Sequence, residues 1–99
     1  MLNTNEETDG TSLIVTLEGR LDTTTAPELE GLLKESLEDK TELRLDIKDL
    51  EYISSAGLRV LLSAQKVMSK QGSMVVQNAS AAVKEIFEVT GFSDILTIE

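Results

Sequence analysis

The sequence predicts an α/β fold: a single domain over residues 1–99 in which helices cover a mostly parallel five-stranded sheet with an antiparallel N-terminal edge strand. Three observations lead there. After two strand-like segments, helix and strand patterns alternate three times, the order that yields parallel strands joined by right-handed crossovers. The connections are only a few residues long, with no repeat, linker or low-complexity tract. Finally, 40% hydrophobic residues with only 3% aromatic ones imply a core packed by Leu, Ile, Val and Ala. A chain of 99 residues is long enough to form one such core, burying roughly two-thirds of its unfolded surface.

The elements follow in order. Met1 to Thr8 alternates weakly, and Asp9-Gly10 is a turn signal that folds it back as an antiparallel edge strand. Ser12 to Glu18 is a short β-branched run suited to a buried strand. Thr25-Ala26-Pro27-Glu28 reads as a Thr-x-x-Glu capping box with proline in the first turn, and Leu29, Leu32, Leu33 and Leu37 continue it as a helix from about Ala26 to Leu37. Leu43, Leu45 and Ile47 alternate with polar neighbours, a strand pattern that stops near Asp49.

From Ala56 to Met68 the apolar positions cover more than half a helix circumference, so this helix is expected to be largely buried, with Gly72 as its stop. Ser73 to Gln77 is another short buried strand. Ala79 to Thr90 is a helix with Val83, Ile86 and Phe87 inward and Gly91 at its end, and Ile95 to Ile98 closes the chain as the fifth strand of the sheet. The polar first strand argues against extension of the sheet by a neighbour.

Composition removes several function classes. With no histidine and no cysteine, the chain lacks the commonest general base, the commonest metal ligand and any thiol nucleophile. No enzyme activity and no cofactor are expected. Nine basic residues against 18 acidic ones give a formal net charge of -9, which repels nucleic acid and suits a basic partner. There is no signal-like N-terminus and no apolar run long enough to span a bilayer. The expected location is the cytoplasm, away from the membrane.

One constellation carries chemistry. Leu50-Glu51-Tyr52-Ile53-Ser54-Ser55-Ala56-Gly57-Leu58 puts two hydroxyls and a glycine where a strand hands over to the buried helix, and in open α/β sheets functional groups gather at the carboxyl ends of strands. Either serine can cap the helix. Either can also accept a phosphate, whose charge of about -1.5 to -2 suits a helix N-terminus while disrupting an interface laid over the same loop. Arg20 and Arg59 flank that loop as contacts for a partner or phosphate, or as part of a solvated face. Asp22, Asp46 and Asp49 could be read as a Mg²⁺-binding receiver cluster or as turn caps, and turn caps are the favoured reading. The six glycines match no nucleotide-binding spacing.

The chain resembles the STAS-domain anti-sigma factor antagonists, the phosphorylatable components of bacterial partner switching, which have the SpoIIAA-like fold. The resemblance runs from about Leu13 to Glu99 and rests on Gly19-Arg20-Leu21-Asp22, Leu45-Asp46-Ile47-x-Asp49-Leu50, Ile53-Ser54-Ser55-Ala56-Gly57-Leu58 and Val83-x-x-Ile86-Phe87-x-x-x-Gly91-Phe92. It implies that the unphosphorylated protein binds an anti-sigma factor serine kinase and so releases a sigma factor. Phosphorylation, reversed by a PP2C-type phosphatase, ends the binding.

By position the resemblance makes Ser55 the acceptor, with Ser54 as the alternative, and assigns partner contacts to Asp22, Thr23, Ser54, Ser55, Ala56, Gly57 and Arg59. Many members have aspartate where this chain has Ser54, and longer ones add a C-terminal helix after the last strand. The second function the resemblance admits is a STAS scaffold subunit of a lipid or anion transport complex, without a phospho-switch.

Overall fold

The computed structural model describes residues 1–99. Strands β1 (Leu2–Asp9) and β2 (Ser12–Leu21) form a hairpin, followed by α1 (Ala26–Ser36), β3 (Glu42–Ile53), α2 (Ser55–Gln71), β4 (Ser73–Gln77), α3 (Ala81–Thr90) and a 3₁₀ turn at Phe92–Asp94. The sheet runs β1-β2-β3-β4. Its first pairing is antiparallel and the other two are parallel, so it is a mixed sheet.

The sheet has four strands where the sequence pattern predicts five. Ile95 and Leu96 are drawn into the turn by N–H bonds to the Phe92 carbonyl, which leaves only the last residues free to reach the edge. There Ile98 makes one parallel bridge to Val76. The Val76 N–H donates to Thr97 at 2.8 Å and its carbonyl accepts from Glu99 at 2.9 Å, a single rung instead of a strand.

Period-two alternation buries Leu13, Val15 and Leu17 of β2 and Leu43, Leu45 and Ile47 of β3 on one face. The inward residues of all three helices, among them Leu29, Leu33, Leu61, Met68, Val83 and Phe87, join that face in one cluster of 24 buried residues. Each fully buried Leu, Val or Phe is worth about 1.5–3 kcal/mol of transfer free energy. On the opposite face Ile14, Thr16, Arg44, Asp46 and Val75 remain half-buried.

Two departures from expected boundaries shape the functional end. Beyond Ile47 the burial of β3 changes period, with Leu50 and Ile53 inward and two exposed residues before each. That hides the extension from an alternation test that ends at Asp49. Its partner β2 accommodates the change through register shifts at Thr16/Glu18 and Gly19/Arg20. Gly19 has φ +104 and lies so close to the Met1 carbonyl oxygen that a Cβ would collide with it. Both strands therefore run on past the regular sheet, to Leu21 and Ile53, and these two residues form the floor of the site.

Candidate functional site

Helix α2 starts where β3 ends, with Ser54 alone between them. Ser54 is extended at φ -93 and ψ 175, and its Oγ accepts the Gly57 N–H at 3.3 Å. Its own N–H donates to the Leu21 carbonyl at 2.8 Å, and its carbonyl accepts from Leu58 at 2.9 Å. Backbone and side chain together tie the end of β2 to the start of α2.

Ser55 is the first residue of the helix, is exposed, and its hydroxyl takes part in no hydrogen bond. Capping and chemical availability, which the sequence allows either serine to provide, are divided between neighbours. Gly57 is buried, and a Cβ there would lie 2.7 Å from Leu21 Cγ and 2.9 Å from Ile53 Cγ1. The helix backbone itself is therefore seated on the strand ends. Ala56 is half-buried and Arg59 exposed. The ion pairs of the chain are Arg20–Asp22, Lys34–Glu30 and Arg44–Glu42, so Arg59 has no carboxylate partner.

The hydrogen bond from Ser54 to Leu21 sets the turn Asp22–Thr25 next to these residues. Asp22 Oδ1 accepts the N–H groups of Thr24 and Thr25 at 3.0 and 3.1 Å and the Thr25 hydroxyl at 3.2 Å. The Thr25 N–H foremost, with Thr24 and the hydroxyl adding to it against a desolvation penalty, holds the carboxyl below its ordinary pKa. The expected capping box does not form, because the buried Thr25 hydroxyl bonds Asp22 and the Arg20 carbonyl and caps nothing in α1. Asp22, three residues upstream, supplies the acceptor that the box would have supplied. Thr23 is exposed at the tip of the turn.

Arg20 approaches Asp22 at 3.9 Å and lies 4.6 Å over the ring of Tyr52, its cross-strand neighbour. Tyr52, 37% exposed, forms one wall of a groove that runs past Ser54, Ser55 and Leu58 to Glu85, Ile86 and Val89 of α3. The α3 wall was missed by sequence reasoning. Its one signal was Val89, an apolar side chain off the inward face of the helix and 79% exposed.

The carboxylates do not assemble a receiver-like metal centre. Asp46 accepts from the Lys48 N–H and from Asn78, Asp22 is occupied by its turn, and no three such groups converge. No helix is long and apolar enough to cross a membrane.

Residues 3–99 match the family model for the STAS domain. BtrV of Bordetella bronchiseptica is 41% identical over 98 residues, covering 96% of this chain and 83% of that protein. The anti-sigma-B factor antagonist of Bacillus subtilis is 32% identical over 98 residues, covering 98% of this chain and 90% of its own. In fold, the crystal structure of an anti-sigma factor antagonist from Mycobacterium paratuberculosis superposes with a TM-score of 0.89 at 23% identity, covering 99% of this chain and 85% of that one. Such antagonists are regulatory binding proteins rather than enzymes. With a mixed sheet under three helices and a family match along nearly its whole length, the chain belongs to the STAS domain family, and its relatives include anti-sigma factor antagonists.

Proposed function

We propose that this protein is an anti-sigma factor antagonist that works by partner switching. Unphosphorylated, it binds an anti-sigma factor that is also a serine kinase, and a sigma factor is released; phosphorylation of Ser55 ends the binding, and a PP2C-type phosphatase restores it. The observation that carries this reading is the division of labour between the two serines: Ser54 is engaged as the helix cap, while the exposed Ser55 hydroxyl is free.

The reaction is a transfer from ATP held by the kinase. Ser55 Oγ forms a bond to the γ-phosphorus, the bond from that phosphorus to the bridging oxygen breaks, and ADP leaves. The hydroxyl proton passes to a base of the kinase. This chain has neither histidine nor cysteine, and Asp22, held below the usual carboxylate range, is a poor base.

A phosphate of about -1.5 to -2 charge at the first turn is favourable for the helix, worth roughly 0.3–1 kcal/mol. Against a partner that covers Asp22, Thr23, Ser54, Ser55, Ala56, Gly57 and Arg59, the same phosphate and its water shell would have to be desolvated. The modification therefore spares the fold and opposes the complex.

The test is incubation of wild type, Ser54→Ala and Ser55→Ala with ATP and an anti-sigma factor serine kinase from the same organism, followed by intact-mass spectrometry and size-exclusion chromatography. Only Ser55→Ala should fail to gain phosphate, and the phosphorylated wild type should no longer co-elute with the kinase. Phosphate on Ser55→Ala would move the acceptor to Ser54 and overturn the assignment.

A further inference from the structure

We propose that Arg59 is the internal counter-ion of the Ser55 phosphate, so that modification both adds a dianion to the binding surface and withdraws a cation from it. This rests on the reading of Ser55 as the phosphorylated residue and specifies how that site works.

Ser55 and Arg59 stand at positions i and i+4 of α2, both exposed. Side chains with that spacing share one helix face, with Cβ atoms about 5–6 Å apart, and an acid N-terminal to a base is the favourable orientation. Planar guanidinium also suits bidentate contact with phosphate oxygens.

The surroundings leave this role to Arg59. No acidic residue occupies the first turn of α2, and no carboxylate pairs with Arg59. The other candidate, Arg20, is already held between the Asp22 carboxylate and the Tyr52 ring. Across the groove α3 presents Glu85, which repels a phosphate, and β3 contributes Glu51 just before Tyr52. Arg59 is thus the unengaged cation on the same helix face as Ser55. In the unmodified protein it is free to meet an acidic group of a partner; once Ser55 carries phosphate it is neutralised in place.

The experiment uses full-length protein with phosphoserine installed genetically at position 55, so its outcome does not depend on any kinase. The second ionisation of the phosphate is followed by phosphorus NMR across pH 4–8. An i,i+4 pair of ordinary strength lowers its midpoint by about 0.2–0.4 unit. Arg59→Gln should raise the midpoint by that amount, Arg59→Lys should retain most of the lowering, and Arg20→Gln should leave it in place. Thermal melts of phosphorylated and unphosphorylated chains give a second readout, in which phosphate should favour the fold less in Arg59→Gln than in wild type.

An unmoved midpoint in Arg59→Gln, or an equal shift in Arg20→Gln, overturns the proposal. Failure of the kinase to modify Ser55 would overturn the acceptor assignment instead, and would leave this titration unchanged.

Discussion

Helices α2 and α3 begin with the same cap and are fastened to the core in opposite ways. Ser54 and Ser80 are both extended, and each accepts the N–H three residues on, from Gly57 at 3.3 Å and from Val83 at 3.2 Å. In α3 that third residue is a fully buried valine, which anchors the helix through its side chain. In α2 it is a glycine, and the helix backbone rests directly on Leu21 and Ile53. The residue after the cap differs too: Ala81 in α3, Ser55 in α2. Close backbone seating fixes the position of the first turn of α2, and the residue placed there carries a free hydroxyl. An identical cap in α3 precedes an alanine and presents no acceptor.

The largest effect is expected from filling the space under α2. Gly57→Ala places a methyl 2.7 Å from Leu21 Cγ and 2.9 Å from Ile53 Cγ1, both buried side chains. Overpacking of this kind costs about 1–3 kcal/mol, or roughly 4–8 °C in Tm for each kcal/mol in a domain of this size. The equivalent site in α3 should show the reverse preference, since Val83→Ala opens a cavity where Gly57→Ala removes room. If Gly57→Ala melts within a degree of wild type, the backbone of α2 is not the fastening surface.

The caps come next. Ser54→Ala and Ser80→Ala should each lose about 1 kcal/mol in chemical denaturation, because both leave an N–H at the third position without its acceptor. Ser54→Asp should recover the loss, since aspartate caps as well as serine and adds a favourable charge at the N-terminus. Serine and aspartate at this position would then perform one structural task. A Ser54→Ala protein as stable as wild type, beside a destabilised Ser80→Ala, would separate the two helix starts and remove the structural role given to Ser54.

Most of the fold was legible because its signals are local. The β1–β2 hairpin, the three helices and β4 follow from apolar period, turn residues and glycine stops, and α3 ends on Gly91 in the left-handed region as the sequence suggests. What escaped was set by contacts distant in the chain. The extension of β3 to Ile53 buries every third residue, a pattern no strand test seeks. The last strand shrank to one bridge because the turn at Phe92–Asp94 took up Ile95 and Leu96. At the site, the helix-start pattern left either serine as the cap and only the resemblance singled out Ser55 as the acceptor, because the choice of cap depends on the dihedral angles of Ser54 and its bond to Leu21. The α3 wall of the groove left only the signal of Val89 for the same reason: Tyr52 and Val89 come to line one groove only once α3 lies against the end of β3.

The smallest effect concerns α1, whose start follows neither pattern. Thr25 stands at the cap position in helical conformation and makes no cap bond, while Asp22 Oδ1 receives the Thr24 and Thr25 N–H groups from outside the helix. Those donors, Thr25 first, favour the charged carboxylate and lower its pKa from the ordinary 3.8. A lowered folded-state value means that the unfolded chain takes up the proton first as pH falls. The stabilisation is therefore complete above about pH 5 and is lost as acid titrates Asp22 through its lower folded value. Asp22→Asn keeps an acceptor oxygen but no charge. The stability difference between wild type and this variant should be constant from pH 7 to about pH 5 and shrink steadily below pH 4. A difference that grew on acidification would mean that the turn prefers the neutral side chain. Because the carboxylate is partly open to water, the change should register as a small shift in Tm, below that of either cap.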